Sequence, residues 1–88
     1  MTTRCGINTI VNSITKERYV GQAVDIEENW RTHIQELNAG NHGSEQLQKA
    51  WDEYGSDNFT FVVLKECERE DLDWFEHMAV EDGAEYNH

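Results

Sequence analysis

Along this chain the spacing of apolar residues switches between strand and helix periods, and each switch marks an element. From Cys5 to Asn12, Ile7, Thr9, Ile10 and Val11 make a β-rich run. After the polar stretch Ser13 to Glu17 the chain resumes with Arg18-Tyr19-Val20 before Gly21. Two such runs with a short polar gap read as a hairpin with a longer-than-minimal loop. From Asp25 the period becomes helical, with Ile26, Trp30, Ile34 and Leu37 on one stripe. Asp25 is a good N-cap, Glu28 stands three residues on as in a capping box, and Gly40 closes the pattern.

Ser44 opens a second helix in which Leu47, Ala50, Trp51 and Tyr54 form the buried side and Gly55 the stop. Phe59, Phe61 and Val63 then alternate with Thr60, Val62 and Leu64, a strand apolar on both faces that helices should cover on at least one. Asp71 or a nearby acid starts a last helix with Leu72, Phe75, Met78 and Ala79 turned inward. The order β-β-α-α-β-α predicts an α+β fold, a three-stranded, mainly antiparallel sheet flanked by three helices. There is no internal repeat or linker, so residues 1–88 are expected to form a single domain.

Size sharpens that picture. A chain of 88 residues buries roughly 60% of its unfolded surface, so one modest core carries the stability. Hydrophobic residues are 38% of the chain, with three each of Trp, Tyr and Phe, enough for a packed core despite the high charge. The longest apolar run, Phe59 to Leu64, falls far short of a membrane span, and the N-terminus lacks a basic-then-apolar leader pattern. A soluble cytoplasmic protein is the expectation. Cys5 and Cys67 have no second cysteine or histidine at ligand spacing, so reduced, at least half-buried thiols are expected.

Charge changes the picture more. Eighteen acids against seven bases give a net charge of −11, and residues 66–85 hold nine acids against the single Arg69. Duplex DNA is gripped largely through Lys and Arg that release counterions, and here these are few and scattered. Autonomous DNA binding is expected to be weak or absent, whereas a basic protein surface would be steered toward this chain. Solubility alone, or a salt-rich host, would account for the same acidity.

Two polar residues stand on faces that otherwise look buried. His33 lies on the edge of the first helix's stripe and Glu76 within that of the last. A buried carboxylate costs several kcal/mol unless it is paired or metal-bound, so Glu76 is the more suspect; the other reading rotates it to the helix boundary. For His33 the other reading is a core histidine with its bonds satisfied.

These residues meet the hairpin in one known pattern. With Gly6-Ile7-Asn8 and Tyr19-Val20-Gly21 in the two strands, Asp25, Asn29 and His33 in the first helix, His42, Leu47-Gln48, Trp51 and Gly55 beyond it, Glu76 in the last helix and Tyr86-Asn87 at the end, nearly the whole chain resembles the GIY-YIG nuclease family. The resemblance implies phosphodiester hydrolysis with a divalent cation held by Glu76, for which oxygen ligands suit Mg²⁺. It makes Tyr19, His33 and Glu76 catalytic and sets Gly21, His42 and Asn87 beside the substrate. Gly6 and Gly21 need no chemical role, since they let strands bend and backbones approach.

Two departures weigh against turnover. Asn8 stands where the family has a tyrosine, and its amide takes up no proton at ordinary pH. Asn29 stands where the family has an arginine, and loss of a cation from a transferring phosphoryl group can cost on the order of 10³ to 10⁵ in rate. Arg31, two residues on, points about 200° away around the helix. The expectation is a catalytically impaired member acting by binding, as in a phage or mobile-element inhibitor of a nucleic-acid-binding or defence protein. The alternative is a metal-dependent endonuclease with a divergent site.

Overall fold

The computed structural model describes residues 4–87. Strand β1 (Gly6–Asn12) runs centrally, flanked by β2 (Arg18–Ala23) and β3 (Phe59–Glu66) in the order β2-β1-β3, antiparallel at both junctions. Helices α1 (Ile26–Ala39) and α2 (Glu45–Tyr54) lie between β2 and β3 in sequence, and α3 (Leu72–Glu81) follows β3. The predicted order holds, with single turns of 3₁₀ helix at Ser56–Asn58, Arg69–Asp71 and Glu85–Asn87.

Register explains why the domain has two cores. Cross-strand partners share a face, and Tyr19 and Phe61 both pair with Ile10. That face packs Ile10 and Phe59 against Leu37 of α1, Leu47, Ala50 and Trp51 of α2, and Tyr86. The opposite face packs Ile7 and Val20 against Leu72 and Ala84, with Phe75, Ala79 and Val80 of α3 beside them. The central strand is therefore enclosed on both sides, and its polar members must find partners: Thr9 Oγ1 donates to the Tyr19 carbonyl at 3.0 Å, and Asn12 Nδ2 to the Tyr86 hydroxyl at 3.1 Å. Cys5 and Cys67 are both free and half-buried at the edge of the second core.

The caps of α1 and α2 form as expected, whereas Asp71 precedes α3 without a side-chain cap bond, after the 3₁₀ turn Arg69–Asp71. The Asp25 side chain accepts from Glu28 N, and the Ser44 side chain from Leu47 N. Gly40, at φ 79°, supplies the left-handed residue that ends α1. Gly6 is required for a different reason: a Cβ there would lie 2.1 Å from the Lys65 carbonyl oxygen, beside a register shift between Ile7 and Asn8. At Gly21 the same atom would meet only the Tyr19 ring, at an ordinary 3.7 Å. Crowding therefore explains Gly6 and not Gly21.

Two stripe assignments need correction. Ile34 and Met78 are exposed, because α1 and α3 each cover only part of a narrow three-stranded sheet. On β3, Phe59, Phe61 and Val63 are covered, whereas Val62 and Leu64 face outward and stay accessible. No helix among the described residues is long and apolar enough to cross a membrane.

Candidate active site

The cap at Asp25 starts α1 beside the end of β2, which directs His33 onto the Tyr19 ring. Their centroids lie 5.6 Å apart, edge to face. His42, in the loop between α1 and α2 and almost fully buried, meets the same ring at 5.5 Å. The histidines touch each other, His33 Nδ1 to His42 Nε2 at 2.7 Å.

The protons in this pair follow from a third bond. Ser44 N donates to His42 Nδ1 at 2.9 Å, so that nitrogen presents a lone pair. A neutral His42 then carries its proton on Nε2 and donates it to His33 Nδ1, leaving the His33 proton on Nε2. Burial holds both imidazoles below the usual histidine range, helped at His33 by the neighbouring His42, so the neutral forms are favoured. Burial and the charges of Glu76 and Glu36 push the Tyr19 hydroxyl above its ordinary value, which favours the neutral phenol.

His33, His42 and Glu36 bring three potential ligand atoms within 4.8 Å of one another. The bonding pattern does not suit a metal ion. With Nδ1 engaged by the Ser44 amide, Nε2 of a neutral His42 bears a proton and has no lone pair to give. The second acidic group fits a cation better. Gln22 Nε2 donates to both Asp73 and Glu76, to Asp73 Oδ1 at 2.8 Å, so two carboxylates converge on one amide at the β2 edge. Such hard oxygen donors suit Mg²⁺ or Mn²⁺; Glu76 and Asp73 would hold such an ion, and it would supply polarisation of a water or phosphate oxygen.

Next to Tyr19 an open cleft of about 650 Å³ is lined by Gly43 to Gln46, Lys49, Tyr86 and Asn87. The Asn87 side chain spans the backbone of Val20, accepting from its N and donating to its O, each at 2.8 Å. It continues the β2 ladder by one residue and thereby fixes the neighbouring Tyr19.

A comparison with models of protein families finds no match. Intron-associated endonuclease 1 of Enterobacteria phage T4 is 36% identical over 63 residues, 72% of this chain. The chain spans a quarter of that relative's length. Among solved structures, the catalytic domain of the homing endonuclease I-TevI superposes with a TM-score of 0.85 at 30% identity, over 90% of this chain and 87% of that domain. The chain belongs to the GIY-YIG nuclease family. A variant of the same domain superposes with a TM-score of 0.83 at 28% identity, over 90% of this chain and 82% of the other.

The two departures from the GIY-YIG pattern occupy different surroundings. Asn8 is 1% exposed, accepts from the Trp30 indole at 2.9 Å and donates to the Gly21 carbonyl at 3.4 Å. Position 8 is thus a satisfied core polar residue. Asn29 is half-buried, and its Oδ1 is enclosed without a hydrogen-bond partner. Arg31 is exposed and paired with Glu28 at 3.1 Å, which leaves it outside the site. Sequence reasoning counted Lys49 among scattered bases and missed its place in the cleft. It also missed Gln22 and, at Ser44, saw the helix cap but not the amide's bond to His42, because no local pattern announces which side chain or amide a carboxylate or imidazole will meet.

Proposed function

We propose that this chain is a GIY-YIG protein whose hydrolytic site is disabled and which acts by binding a basic protein surface, in the manner of a phage or mobile-element inhibitor of a nucleic-acid-binding or defence protein. The observation that carries this reading is the state of Asn8: a carboxamide with both ends bonded inside the core replaces a phenol that would face the reacting water. Asn29, neutral and with its Oδ1 enclosed, and the engagement of Arg31 with Glu28 support it, since neither supplies charge to a phosphoryl group. A net charge of −11 favours a cationic partner over a polyanion.

A second reading, a working DNA endonuclease, is favoured by the retained grouping of Tyr19, His33 and His42 and by the Glu76 carboxylate whose charge reaches Tyr19. Incubation of the protein with supercoiled plasmid and Mg²⁺ or Mn²⁺ separates the two. The expected outcome is no nicking above that of Glu76→Ala; nicking that Glu76→Ala removes would overturn the proposal. Reversion at position 8 alone should not restore cutting, because a tyrosine there must first displace the Trp30 contact.

A further inference from the structure

We propose that the groove between α3 and the outward face of the sheet is a docking site for a cationic amphipathic helical segment of a protein partner; this deepens the binding reading above and rests on it. Helix α3 covers β2 and β1 and leaves the outer half of β3 bare, so Leu64 (40% exposed) and Val62 (39%) lie uncovered on that face. On the helix, Trp74 (62%) and Met78 (51%), one turn apart, are also open. Leu64, Met78 and Ala79 line a depression of about 520 Å³ together with Glu81, Asp82 and one base, Arg18. Large apolar side chains concentrated on one face, rimmed by polar groups, are the common form of a protein interaction site.

Charge selects the occupant. Residues 66–85, which include all of α3, carry nine acids and one base. Arg18 turns its guanidinium to the Gly83 and Ala79 carbonyls and Lys65 sits 5.2 Å over the Phe75 ring, and the acids of this segment still outnumber these two cations and Arg69. His77 lies beside Glu81 at 3.2 Å, and Glu81 and Asp82 are the acids that line the groove itself. A second copy of this chain would bring the same negative face and be repelled, as would a nucleic acid or an anionic bilayer. A helix with apolar residues on one side and Lys or Arg along its margins satisfies both parts of the surface, with apolar anchors in the groove and charges at the acidic rim.

The test titrates the full chain with a synthetic amphipathic Leu/Lys peptide, with its Leu/Glu counterpart and with duplex DNA, following backbone amide signals by NMR. The expected result is saturable shifts for the Leu/Lys peptide centred on Leu64, Trp74, Met78 and Ala79, weakened by salt. The pair Leu64→Ser and Met78→Ser should weaken binding on the order of tenfold. Both side chains are accessible, so an unchanged spectrum elsewhere shows that the fold is kept. Glu81→Gln with Asp82→Asn should lower the affinity and its salt dependence. Shifts spread over every acidic helix, shifts centred on the Tyr19 cleft, equal affinity after the serine substitutions, preference for the Leu/Glu peptide or DNA, or self-association through this face would each overturn the proposal. Plasmid cleavage reads the disabled-site proposal separately, so either can fail alone.

Discussion

Asn29 is a liability that its neighbours do not relieve. A buried oxygen without a donor forfeits its hydration, typically about 1–3 kcal/mol, and asparagine is also a poor residue for a helix interior. Asn29→Ala should therefore raise stability by about 1 kcal/mol, read as a higher urea midpoint at unchanged slope. Asn8 behaves oppositely, because both ends of its amide are bonded. The sequence makes both asparagines visible as departures from a pattern. Only the Trp30 indole and the Gly21 carbonyl reveal that one is accommodated and the other is not.

At the scale of elements, the α1–α2 loop and β2 determine what the site can do. His42 is locked by the Ser44 amide and passes its hydrogen bond to His33. Burial holds both imidazoles below the usual histidine range, so the unfolded chain takes up protons first as pH falls. The stability they contribute is whole above about pH 6.5 and is lost as pH drops through their lower folded values. His42→Gln should flatten that part of a stability-versus-pH curve, measured by urea unfolding above the range where carboxylates titrate. At the β2 edge, Gln22→Ala frees the carboxylates of Asp73 and Glu76 from a shared donor. It should tighten Mn²⁺ binding several-fold in calorimetry, whereas Glu76→Ala should remove it; unchanged affinity in Gln22→Ala would show that the amide does not compete.

Element order, caps and most core positions were legible because they depend on local periodicity and on residues with one dominant use, such as Asp25, Gly40 and Ser44. The site's polar contacts were less so. Gln22 to Glu76 joins the second strand to the last helix, and no spacing along the chain encodes it. The inward assignments of Ile34 and Met78 failed for a related reason: helical periodicity gives the apolar side of a helix but not the width of the sheet beneath it.

For the molecule as a whole, a net charge of −11 on a small domain is a standing field. Duplex DNA should bind poorly even at low ionic strength, and added salt should raise the thermal midpoint by screening self-repulsion. Melting curves across a salt series check the second point; a midpoint that falls with salt would show that paired charges outweigh repelled ones. The attachment of Asn87 to Val20 carries a different consequence, one of timing. Val20 belongs to the first quarter of the chain, and its partner lies 67 residues later. Tyr19 is synthesised early, but its strand can gain this fastening only after the polypeptide beyond α3 has emerged and doubled back, so the complete site is unavailable until nearly the whole chain has been made.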